Sequence, residues 1–86
     1  MNINDLISIV KKKLLNQIEI ESIQIEDKSF LHKNHAGNQK GKYHLKLTIF
    51  SEELKNMKKI ESTKKIYKIL DVELKEYIHS IQILIN

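Results

Sequence analysis

Tyr43, Leu45, Leu47 and Ile49 alternate with His44, Lys46 and Thr48. A period of two places the first set on one face of a strand and the second on the other. After the next 28 residues comes a second β-branched run, Ile78-His-Ser-Ile-Gln-Ile-Leu-Ile85. The residues between read as helical. A strand, a helical connection and another strand favour parallel pairing with a right-handed crossover, and this restricts the fold more than any other feature of the chain.

The rest fits around that unit. Ile3, Leu6, Ile7, Val10 and Leu14 recur at helical spacing, so a helix is predicted from about Asn4 to Asn16. Asn2 or Asn4 can cap it, and Asp5 suits the positive end of its dipole. Ile23 and Ile25 then predict a strand from about Ser22 to Lys28, which a loop joins to Tyr43 and which therefore pairs with that strand antiparallel. Ser51-Glu-Glu marks a helix start, a hydroxyl cap followed by two acids. Ser62 is read as the cap of a second helix over Thr63 to Tyr77, with Ile66, Ile69, Leu70, Leu74 and Tyr77 inward. The expected order is α-β-β-α-α-β in an α+β fold, a three-stranded mixed sheet with helices packed on one face. A length of 86 residues suits one domain over 1–86.

Composition narrows the chemistry. There is no cysteine, which excludes disulfides, a thiol nucleophile and a cysteine metal site held by this chain alone. No apolar run approaches the roughly 20 residues of a membrane span, and no signal-like N-terminus is seen, so a cytoplasmic protein is expected. The net charge of +4 is carried by 15 basic residues, all lysine. This can reflect an acidic partner, or a background rich in lysine, isoleucine and asparagine. The absence of arginine counts against base readout in DNA, where the bidentate guanine contact is usually an arginine's.

Three of the four histidines, and both glycines, lie between Asp27 and His44. A loop of that length is often functional. Ser29 beside these histidines makes no serine nucleophile, because no base and oxyanion hole are fixed around it. No phosphate-binding glycine loop or zinc-protease helix motif occurs. His44, on the polar face with Lys46 and Thr48, reads as structural or solvent-facing. His79 shares the parity of Ile81, Ile83 and Ile85, on or near the buried face at the start of its strand.

In this order and spacing, Asp27-Lys-Ser-Phe-Leu-His-Lys-Asn-His-Ala-Gly37, Tyr43-His-Leu-Lys-Leu-Thr-Ile-Phe-Ser-Glu52, Lys65-Ile-Tyr-Lys-Ile-Leu-Asp-Val-Glu-Leu74 and Tyr77-Ile-His-Ser-Ile81 resemble a BolA-like protein. The resemblance covers about Leu6 to Ile85. It implies a fold similar to the class II KH domain and a non-enzymatic adaptor role. In that role a monothiol glutaredoxin is bound and a [2Fe–2S] cluster is shared with its cysteine and glutathione, for iron–sulfur trafficking or iron signalling. His79 matches the family's C-terminal histidine, the usual ligand, and His32 matches the variable loop position, with His35 close enough to substitute. Alone, the chain would hold no cofactor and would be a monomer or weak homodimer.

The resemblance also implies an alternative, a DNA-binding regulator of stress response and cell shape, with Lys64, Lys65 and Lys68 as contacts. Here Ser62, Thr63 and Lys64 stand where family members often carry Arg-His-Arg, which weakens that alternative. The Gly-x-x-Gly loop of RNA-binding KH domains is absent too, since Gly37 and Gly41 are differently spaced. A third possibility is a free-standing metal- or heme-binding domain built on the loop histidines.

Overall fold

The computed structural model describes residues 1–29 and 42–86. The elements run α1 (Ile3–Gln17), β1 (Ser22–Asp27), β2 (Tyr43–Phe50), α2 (Glu52–Lys55), α3 (Lys59–Ile69), α4 (Asp71–Glu76) and β3 (Ile78–Ile85). The sheet order is β1-β2-β3, with β1 antiparallel and β3 parallel to β2. The predicted mixed sheet and its crossover are therefore present.

The alternation of β2 sets the layers. Leu45, Leu47 and Ile49 are buried under the helices, with Ile23 and Ile25 of β1 beside them and Ile81, Ile83 and Ile85 of β3 on the other side. Leu6, Val10 and Leu14 of α1, Leu54 of α2, and Ile66 and Leu70 from α3 and its end close the core from above. Burying one such side chain contributes about 1.5–3 kcal/mol, so the central strand and the helix stripes carry much of the stability.

Caps explain most element ends. The Asn2 side chain accepts from the Asp5 N–H, and the Ser51 hydroxyl accepts from the Leu54 N–H. Both satisfy donors that a helix leaves open at its start. The hydroxyl of Ser51 also donates to the Glu19 carbonyl, tying α2 to the segment before β1.

Ser62 departs from the expected pattern. It lies inside α3, buried, and its hydroxyl donates back to the Lys59 carbonyl rather than capping a helix start. A serine can satisfy itself this way in a helix interior, so its identity alone does not mark a boundary. The helix begins at Lys59 without a side-chain cap and is interrupted at Leu70, where φ −98° and ψ 20° separate α3 from α4. The interruption turns Glu73 of α4 inward, where its carboxylate, in a residue only 5% exposed, takes both short contacts from Lys13 of α1, at 2.7 and 3.0 Å. A buried carboxylate needs such a partner, and this pair locks α4 to α1.

Replacing Leu47, fully buried at the centre of the sheet, by alanine should cost about 2–5 kcal/mol. Urea titration should show a lower midpoint with an unchanged slope. A second prediction concerns Glu53. Its carboxyl is held below the ordinary glutamate value by the Lys65 ammonium, 2.6 Å away, and by the Glu19 N–H. The depressed value means the unfolded chain binds the proton more readily, so the contribution is complete above the unfolded value of about 4.5 and fades as pH falls through the folded one. Glu53→Gln should flatten the acid limb of stability between those two values, measured by urea midpoints against pH.

Candidate histidine site at the start of β3

The site forms where β2 and β3 begin to pair. Tyr43 is opposite Ile78, but His44 is opposite Ser80, so β3 carries one extra residue there. That residue is His79. A bulge of this kind reaims side chains, and it shifts His79 out of the parity of Ile81, Ile83 and Ile85. Ile78 is buried whereas His79 and Ser80 are both exposed. The sequence alternation put His79 on or near the buried face; the bulge corrects this, because a period of two holds only within an unbroken ladder.

His44 is the residue whose environment the sequence concealed. It is 5% exposed, although it shares the outer face with Lys46 and Thr48. Its Nδ1 lies 2.6 Å from the Ser80 hydroxyl, and its main-chain N–H donates to the Ser29 hydroxyl at 3.0 Å. The His79 ring packs on it, with centroids 4.9 Å apart and planes tilted by 57°. The reading of His44 as structural fits these contacts and the reading as solvent-facing does not. In the sequence nothing but its residue type sets it apart from Lys46 and Thr48 on the same face.

The two ends of the loop are anchored at the same place. Lys28 donates its N–H to the His44 carbonyl, and Asp27 accepts from the Ser29 N–H. On the other side Tyr43 donates its N–H to the Tyr77 carbonyl and the Lys42 ammonium reaches the Lys75 carbonyl. His32 and His35 lie outside the described residues. Among the described residues no group of three or more His, Cys, Asp or Glu side chains is placed to hold a metal ion. Two imidazoles are brought together, and one of them, His79, faces solvent.

The lysines named for nucleic acid all lie on α3, and two of the three line one cleft. Lys65 is ion-paired to Glu53 and lines a cleft of about 530 Å³ between α1 and α3, with Lys13 and Lys68. Lys64 is exposed but does not line that cleft. Lys13 of α1 belongs to the cleft too and is held by Glu73.

Comparison with known proteins agrees with this architecture. The family model for BolA-like proteins matches residues 14–86. The DNA-binding transcriptional regulator BolA of Haemophilus influenzae is 30% identical over 73 residues, covering 85% of this chain and 68% of its own length. The structure of BolA1 from Arabidopsis thaliana superposes with a TM-score of 0.77 at 27% identity, over 92% of this chain and 87% of that one. The BolA domain of SufE1 from the same plant gives 0.77 at 23% identity, over 100% and 93%, a likeness of fold. No helix among the described residues is long and apolar enough to cross a membrane. Matched by the family model over most of its length and 30% identical to the Haemophilus protein, the chain belongs to the BolA-like protein family.

Proposed function

We propose that this chain is a non-enzymatic adaptor that binds a monothiol glutaredoxin and contributes histidine ligands to a [2Fe–2S] cluster held between them. The observation that carries the reading is His79, an exposed imidazole at a bulge, braced by the fixed ring of His44. Imidazole suits iron, and histidines replace two of the cysteines in Rieske clusters. A chain without cysteine can supply only part of such a ligand set, which fits a shared site and a partner that brings thiolates.

The fit can be put in distances. With metal–nitrogen bonds of about 2.0–2.1 Å, two imidazoles on one metal have centroids about 5 Å apart. The His44–His79 separation of 4.9 Å is of that size. Because His44 is engaged with Ser80, we assign it the positioning of His79. The second ligand then comes from the loop. His32 and His35 both follow Ser29 within a few residues, and the family resemblance, which matches His32 to the loop ligand position, makes His32 the preferred second ligand with His35 as the alternative. When bound, the cluster would supply electron storage or iron–sulfur transfer; the chain's own part is to offer and orient imidazole nitrogens.

Mixing the chain with a cluster-loaded monothiol glutaredoxin should change visible absorption and circular dichroism. His79→Ala should abolish that change, and His32→Ala should weaken it more than His35→Ala. A spectrum untouched by His79→Ala would refute the ligand assignment, and an absence of complex in gel filtration would refute the partner.

A second reading, DNA binding, is favoured by the name carried by the Haemophilus relative and by the cleft that Lys13, Lys65 and Lys68 line. Glu73 and Glu53 already neutralise two of these lysines. The expected binding is weak, tolerant of sequence and steeply dependent on salt. Fluorescence anisotropy on duplex DNA at about 50 mM salt checks it. No binding there, or binding unchanged by Lys68→Ala, removes this reading.

A further inference from the structure

The two edges of the sheet are not alike. β1 is six residues long and carries Glu26 and Asp27. β3 has eight residues without a lysine, an acid or a proline, in a chain that is 30% charged. Sheet edges are normally protected by charge, proline, shortness or a bulge. The bulge of β3 lies at its start, and the stretch from Ile81 to Ile85 has none of these devices.

The ladder shows which main-chain groups this edge presents. Asn86 donates its N–H to the Ile49 carbonyl and accepts from the Ser51 N–H, so residues of even number here direct both groups at β2. Alternation turns those of Ile81, Ile83 and Ile85 outward.

Charge beside the edge is one-sided. A groove of about 310 Å³ runs between β3 and the α2–α3 pair, with Leu54, Met57, Ile83 and Ile85 in its apolar lining. Lys55 and Lys59, both exposed, line it too, and no acid does. Neither lysine is ion-paired among the described residues. Glu21 and Glu52 border the neighbouring hollow at Asn86, which Lys55 shares, but they do not pair with it. The cleft between α1 and α3 differs, because there Glu73 and Glu53 compensate Lys13 and Lys65 from within the chain. Beside β3 the chain supplies the cations and leaves out the carboxylates.

We propose that the β3 edge accepts an extended acidic segment of a partner protein as a fourth strand, with apolar side chains in the groove and carboxylates on Lys55 and Lys59. Such a strand lies about 4.8 Å from β3, and its main chain meets the outward N–H and C=O groups of Ile81, Ile83 and Ile85. Every second side chain then faces the groove. Strand addition of this kind takes affinity from main-chain bonds and specificity from the pockets that receive alternate side chains. Here the pocket asks for an apolar group over Met57 and Ile83 and for a carboxylate where the two ammonium groups stand. Charge also selects against competitors, since a basic segment meets two uncompensated lysines. His79 lies outside the paired stretch, so this surface and the histidine site are separate.

The probe is a capped eight-residue peptide with threonine at every other position and two valines and two glutamates between them. It is made with the valines first and with the glutamates first, because a strand of either direction can pair with the edge. Hydrogen exchange followed by NMR should show the amides of Ile81, Ile83 and Ile85 slowing as one of these peptides is added, while those of Gln82 and Leu84 are protected throughout. Affinity should fall as salt is added. Reversing both cations, Lys55→Glu with Lys59→Glu, should raise the dissociation constant by about tenfold or more, with an unchanged circular dichroism spectrum. His79→Ala should leave it unaltered. The same peptides with lysine in place of glutamate should bind the unmodified chain at least about tenfold more weakly. Absence of protection at millimolar concentrations of both acidic peptides would overturn the proposal. So would lysine peptides that bind as well, or an affinity indifferent to the charge reversal. Protection of the three isoleucine amides that rises with protein concentration and without peptide would assign the edge to a second copy instead.

Discussion

The parallel pairing of β2 with β3 is the contact on which the remaining structure depends. It joins segments separated by three helices, so it forms only when α2, α3 and α4 have crossed over the sheet. It fixes the Leu45, Leu47 and Ile49 row against the Ile81, Ile83 and Ile85 row, and this gives the helices a continuous apolar floor. Where the pairing starts imperfectly, with one residue too many on β3, the fold gains its only close pair of histidine rings among the described residues.

That irregularity joins the sheet to the candidate histidine site. A regular ladder carrying the alternation of Ile81, Ile83 and Ile85 back to His79 would have turned that side chain towards the helix-covered face. The extra residue releases it to solvent while Ser80 and Ser29 hold His44 beneath it. The cost is local, one disrupted rung at the end of the sheet where few core contacts are lost. The site thus combines a rigid base with an accessible imidazole, and the proposed shared metal site rests on that combination.

Ion pairs play a narrower part. Lys13–Glu73 compensates a buried carboxylate and holds α4 against α1, so loss of either partner would leave an uncompensated group. Lys65–Glu53 is more exposed and joins α2 to α3, with the Glu19 N–H as a third member. Both pairs spend lysine charge that composition alone offered to an acidic partner. The net charge is therefore a poor guide to the surface that such a partner would meet.

Element order, strand direction and the core rows were legible in the residues, because periods of two and of 3.6 report which side chains share a face. So were the Asn2 and Ser51 caps, whose side chains act on residues three positions away. What lay beyond the sequence depended on contacts between distant segments. Ser62 looks like a cap, but it lies buried within α3 and bonds back to the Lys59 carbonyl. The break at Leu70 has no glycine or proline to announce it, and it is what turns Glu73 inward to Lys13. The orientation of His79 and the burial of His44 arise from a one-residue mismatch between two strands, and such a mismatch belongs to neither strand alone. The sequence determined which faces are apolar and which residues can ligate; tertiary pairing decided which of them meet, because register is a property of two segments together.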